Sequence, residues 1–139
     1  MNTKVIISLA SNCDQEQNLH QARLRLAESG KLDSLQFTEA IWTEPYSPAG
    51  SSCRGSTNRG SMYLNQLLFA KTTLTVEELI QSLKEMEISL GRNADDRSKG
   101  IVRIDLDLMK YGRTRHHLKD WDRPYIKALM TAEDTKKLK

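Results

Sequence analysis

The stretch "GIVRIDLDLMKYG", residues 100 to 112, sets Asp105 and Asp107 into a run that otherwise reads as a buried strand. Side chains two apart on a strand share a face. Val102, Ile104, Leu106 and Leu108 therefore form an apolar row suited to a core, and Arg103, Asp105, Asp107 and Tyr111 are expected on the other side. Two carboxylates at that spacing have Cα atoms about 6.5 Å apart and repel unless a positive group lies between them. A hard cation such as Mg²⁺ meets that need, since one or two carboxylates hold it together with phosphates and water. Asp105 paired with Arg103 on a solvated face satisfies the same pattern, so the pair alone does not decide.

Upstream of this strand lies a well-marked helix. Thr75 and Glu78 form a capping box, and Leu74 before the cap can staple onto Leu79. Leu79, Leu83, Met86 and Leu90 continue an apolar stripe to Gly91, the expected stop. "MYLNQLLFAKT", residues 62 to 72, reads as the strand before it. At the N-terminus, "KVIISLA" reads as another strand, and Asp14 with Gln17 marks a second capping box. Leu19, Ala22 and Leu26 give the following helix its stripe, Gly30 ends it, and residues 35 to 42 form a further strand. The order is β-α-β-β-α-β. It predicts one α+β domain over residues 1–139, a ferredoxin-like sandwich with a four-stranded antiparallel sheet, helices on one face and a short C-terminal helical extension. The other sheet face is left for ligands.

Composition narrows the partner. The chain of 139 residues carries a net charge of +3, and residues 91 to 127 hold ten Lys or Arg against six Asp. A local basic excess suits an anionic partner, and a phosphorylated small molecule fits as well as nucleic acid. Cys13 and Cys53 lie in no metal-ligand spacing and read as free thiols of a reducing compartment. The apolar N-terminal run is too short for a signal peptide or membrane span, which predicts a cytoplasmic protein that needs no membrane; a monomer is the separate expectation for its assembly. Residues 46 to 61, rich in Gly and Ser, read as a long polar loop of the kind that closes over sites.

Taken together, "SLASN", "WTEP", "YLNQ", "EISLGR" and "RIDLDLMKYG" resemble 6-hydroxymethyl-7,8-dihydropterin pyrophosphokinase, along residues 4 to 125. The combination E-x-x-x-G-R, a polar loop, then G-x-x-x-I-D-L-D is specific where each piece is not. The resemblance implies transfer of the terminal diphosphate of ATP to the hydroxymethyl group of the pterin, releasing AMP, on the way to folate. It implies that Asp105 and Asp107 hold two Mg²⁺ ions, with ATP as co-substrate. It places the pterin against Thr43, Pro45, Tyr46, Tyr63, Asn65 and Tyr125. Glu87, Arg92, His117 and Arg123 fall to the nucleotide, and Arg92 and Arg123 to catalysis; Lys99 for the nucleotide and Arg103 for catalysis are added as nearby cations able to compensate for family groups that this sequence replaces. Asn65 stands out on its own, because Asn is depleted in strands and needs partners when buried.

Against the family pattern, Ala10 stands for a Gly, Ala94 for an Arg, Lys99 for a Trp and Val102 for an Arg, with Arg103 one position on. A weak or inactive relative that binds nucleotide or pterin is the alternative these changes raise. An RNA-recognition module shares the topology, and "RGSMYL" matches part of its third strand. Ser61 and Gln66 occupy its other stacking positions, and the modest charge also argues against nucleic acid.

Overall fold

The computed structural model describes residues 2–44, 62–98 and 100–137, with side chains for all of these but 97 and 132–137. The elements run β1 (Thr3–Ser11), α1 (Gln15–Glu28), β2 (Asp33–Phe37), β3 (Ile41–Thr43), β4 (Tyr63–Thr72) and α2 (Val76–Ser89). They continue with α3 (Ala94–Ser98), β5 (Asp105–Tyr111), β6 (Thr114–Arg115), a 3₁₀ turn at Asp120–Asp122 and α4 (Pro124–Lys137).

One antiparallel sheet has the order β2-β4-β1-β5-β6, with β3 also paired to β4. The ferredoxin-like arrangement is as expected, but the sheet has six strands instead of four. The first reason is Thr38. Its hydroxyl accepts the Leu67 N–H at 3.0 Å, so a side chain stands in for a ladder carbonyl and splits the strand expected over 35–42 into β2 and β3. The second is Gly112, whose φ of 60° turns the chain back as β6.

The main core lies between one sheet face and the first two helices. Leu19, Ala22 and Leu26 of α1 and Leu79, Leu83 and Met86 of α2 pack on Val5, Ile7, Leu9, Leu68, Leu106 and Leu108. Burying side chains of that size stabilises by about 1.5–3 kcal/mol each before conformational entropy is charged. The Thr75–Glu78 capping box of α2 is present, with Glu78 N to Thr75 Oγ1 at 3.2 Å and Thr75 N to Glu78 Oε1 at 2.9 Å. The box expected at Asp14 is not. Asp14 is left-handed (φ 46°) and its side chain makes no capping bond; Asn18 Nδ2 instead donates to the Cys13 carbonyl at 2.6 Å.

The opposite sheet face is not left open along its length. Ile126 and Leu129 of α4 pack there with Leu67 and Met109 in a second cluster. A bulge makes this possible: Ile7 pairs with Leu108 and Ile6 with Lys110, so Met109 is an extra residue. Met109 points to α4, and beyond it the parity of β5 changes. Tyr111, expected beside the aspartates, therefore packs on the helix-side core and donates its hydroxyl to the Leu74 carbonyl at 2.6 Å.

Cys13 is buried and disulfide-bonded, not a free thiol. Spacing along the chain does not report bonding across a fold, and Cys53 lies outside the described residues. Among the described residues no helix is long and apolar enough to cross a membrane.

Candidate active site

Asn65, Ala10 and Asp105 are register partners across β4, β1 and β5, one row on the α4 side of the sheet. With strands about 4.8 Å apart, the two ends of that row lie about 10 Å from each other. Ala10 contributes only a methyl group, so the floor between them is low. Asp107, two residues along β5, faces Ser8 in the next row.

The acidic end opens on a cleft of about 680 Å³ between α2, the free edge of β5 and the segment after β6. β6 pairs only with Lys110 and Tyr111, which leaves the first half of β5 as an edge. An unpaired edge N–H needs a partner. Glu87 supplies it: its Oε2 accepts the Leu106 N–H at 2.7 Å. The same oxygen takes Arg92 Nη1 at 2.7 Å, and that nitrogen also lies 2.7 Å from Asp105 Oδ1. One guanidinium thus joins two carboxylates from different elements. His117, in a left-handed conformation (φ 53°), brings Nε2 to 3.7 Å from Asp107 Oδ1.

These carboxylates are crowded. Burial pushes the Glu87 carboxyl up to about 7, against the lowering effect of the Leu106 N–H and Arg92, with the nearby Asp105 charge adding to the rise. Asp107 is pushed up to about 8, first by burial and then by the charge of Asp105. Both shifts have the sign that burial imposes on a carboxyl, with neighbouring negative charge adding to it.

At the other end of the row, Asn65 is 2% exposed. Its Nδ2 donates to the Ile41 carbonyl at 3.1 Å and to Thr43 Oγ1 at 2.8 Å, and Thr43 is the register partner of Tyr63. Its Oδ1 is buried with no hydrogen-bond partner. An amide fixed by its nitrogen while its oxygen stays unpaired is poised to accept from something else. Tyr125 packs on the second cluster, which contains Met109.

Of the residues picked from the sequence, Glu87, Arg92, Asp105, Asp107 and His117 line the acidic cleft. Thr43, Tyr63 and Asn65 gather at the far end of the row. Arg123 lies outside the cleft lining and bonds Asp120 at 2.7 Å. Arg103 does not share the aspartate face, because β5 starts only at Asp105 and Arg103 sits in a bend before it. Its Nε bonds the buried Asp96 of α3 at 2.6 Å, so Arg92, not Arg103, is the partner of Asp105. The bend follows from Asn12, whose side chain holds the Gly100 carbonyl at 2.9 Å and the Val102 N–H at 2.6 Å. Pro45, Tyr46 and Lys99 lie outside the described residues. Two lining residues were missed, Lys84 and His116. Lys84 precedes Glu87 by one helical turn, and His116 adjoins His117, so spacing could have found both.

The sequence matches the family model of 7,8-dihydro-6-hydroxymethylpterin-pyrophosphokinase (HPPK) over residues 6–132. It is similar to a folate synthesis bifunctional protein of Arabidopsis thaliana, 26% identical over 90% of this chain and 26% of the relative. A protein of that name from Chlamydia caviae is 23% identical over 92% of the chain and 30% of the relative. A mitochondrial folate synthesis bifunctional protein of Pisum sativum is 29% identical over 90% of the chain and 24% of the relative. The chain thus spans less than a third of the length of these relatives.

Proposed function

The chain belongs to the 7,8-dihydro-6-hydroxymethylpterin-pyrophosphokinase family, and on that premise we propose that it transfers diphosphate from ATP to 6-hydroxymethyl-7,8-dihydropterin in folate biosynthesis, giving AMP and the pterin diphosphate. The observation that carries this reading is the row Asn65–Ala10–Asp105, with an unsatisfied amide oxygen at one end and paired carboxylates at the other. A flat, N–H-bearing ring held at Asn65 would present its substituent toward the aspartates.

The family implies Mg²⁺, and the donor set fits it. Asp105 and Asp107 are hard oxygen donors two residues apart on one face of β5, both lining the cleft. Among the described residues no group of three or more His, Cys, Asp or Glu could hold a metal. The two aspartates would therefore be the protein's contribution, with phosphate oxygens and water completing the shell. Bound there, Mg²⁺ would neutralise phosphate charge and align the reacting oxygens.

The chain's own groups do the rest. Arg92 offers its remaining N–H groups to phosphate oxygens, and Glu87 fixes its orientation. His117 and Lys84 supply further nitrogen donors along the cleft. Asn65 Oδ1 accepts from the pterin edge, and Thr43 and Ile41 hold the amide in the orientation this requires.

A weak enzyme that binds more than it transfers is a second reading, favoured by the engagement of Arg103 with Asp96 and by Val102 and Ala94 at positions where cations were expected. AMP formation from ATP, measured with and without the pterin, separates the two. We expect pterin-dependent AMP release, and Asn65→Ala should raise the pterin KM on the order of 10- to 100-fold, the scale for losing a buried polar contact. Binding of both substrates without AMP release would favour the second reading; an unchanged KM in Asn65→Ala would remove the pterin from this end of the row.

A further inference from the structure

The sheet face that carries Asn65 and Asp105 at one end gathers cations at the other. Lys4 and Lys71 are direct register partners across β1 and β4, and Ile6 between them pairs with both Phe69 and Lys110. Lys4, Lys71 and Lys110 thus share the α4 side of the sheet, and β6 places Arg115 opposite Lys110. Like charges set opposite one another on a sheet destabilise it.

Among the described residues no counter-ion answers them. The four cations line a groove of about 460 Å³ walled by Phe69 and Trp121, and among the described residues no carboxylate lines it. Asp33, the β2 partner of Lys71, is exposed, lies outside the groove and forms no ion pair with it. Arg115 is held by a ring and, among the described residues, by no acid. Its guanidinium lies 4.4 Å from the centroid of the Trp121 ring, whose indole N–H donates to the His116 carbonyl at 2.9 Å. Stacking fixes the guanidinium plane and leaves its edges free to meet an anion.

We propose that this groove is a second ligand site, distinct from the acidic cleft, for a small organic polyanion: two or more phosphate or carboxylate groups on a flat or apolar body. The charges meet the four cations, and the body rests on Phe69 and Trp121. The volume is that of a small-molecule pocket. Lys110 follows Asp105 by five residues of strand, about 17 Å, which is too far for one small ligand to bridge.

Calorimetric titration of the full chain with inorganic pyrophosphate and, separately, citrate tests this, in about 0.15 M salt without Mg²⁺. At least one should bind with a submillimolar Kd, and which one does so separates a phosphate from a carboxylate ligand. Lys110→Ala with Arg115→Ala should weaken binding tenfold or more, as should Lys4→Gln, a single exposed change that serves if the double variant does not fold. Arg92→Ala, in the acidic cleft, should bind like the parent. The proposal fails if neither anion binds, if these groove variants bind as tightly as the parent, or if Arg92→Ala abolishes binding. It also fails if a single-stranded oligonucleotide binds where both small anions do not.

Discussion

The acidic end of the sheet brings two carboxylates onto a single arginine, with Asp107 beside them; the other end sets four cations around a groove that no carboxylate lines among the described residues. The two ends share β1, β4 and β5, so backbone geometry does not distinguish them. What differs is the sign of the charge and how the orphan groups are held. At the acidic end Arg92 and the Leu106 N–H offset part of the repulsion, whereas at the basic end a tryptophan face does so for Arg115 alone. In both places like charges sit closer than folding by itself favours, and that is where a ligand of opposite sign gains most.

The largest test breaks the acidic end. Asp105→Asn keeps the size of the side chain and removes its charge, and it should lower kcat on the order of 10²- to 10³-fold at saturating Mg²⁺ and ATP. Circular dichroism should show an unchanged fold, because the Asp105 side chain is about a third exposed and an amide oxygen can keep the contact with Arg92. A variant with parental turnover would leave the aspartate row without a catalytic role.

A second test sharpens the contrast through pH. Asp107 is raised to about 8 and Glu87 to about 7 in the folded protein, far above carboxylates of the unfolded chain near 4. Between those values the folded state holds more protons than the unfolded one, so its stability falls as pH rises. Without metal, the melting temperature should therefore drop from pH 4.5 to 8, and Mg²⁺ should restore more of it at pH 8 than at pH 5. A melting temperature that rises across this range would show that the two carboxyls are not in the shifted state. The basic groove holds no carboxylate among the described residues and should add nothing to this slope.

The smallest effect belongs to the basic end. Lys4→Gln removes one of two facing charges and should raise stability by a few tenths of a kcal/mol at low salt, an advantage that vanishes at high salt. Denaturant midpoints at two ionic strengths measure it, and a loss of stability at low salt would mean that Lys4 has a favourable partner.

How far the sequence could be read depends on how local each signal is. The capping box at Thr75 and the stripes of α1 and α2 depend on neighbours within one or two turns, and they came out as written. Asp105 and Asp107 share a face because they precede the bulge. Tyr111 follows it, and period-two counting put it on the wrong side. Thr38 hid a strand break, since nothing in its identity says that its hydroxyl will meet Leu67. Arg103 was assigned to the aspartates because they are two residues away, but Asp96, brought up by α3, is its partner. Glu87 comes to the site from the sequence only through the family resemblance; its bond to the Leu106 N–H appears only once β5 is known to be an edge. The cover over the far face escaped because Ile126 and Leu129 acquire meaning only beside Met109.

Met109 is, in effect, a residue the strand does not count. Remove it, and Leu108, Lys110 and Tyr111 still fall opposite Ile7, Ile6 and Val5 in unbroken alternation. The insertion therefore leaves the phase of everything on either side intact and adds one apolar side chain on the α4 face. The cover formed by α4 thus gains a contact at Met109 without disturbing the aspartate row or the inward turn of Tyr111.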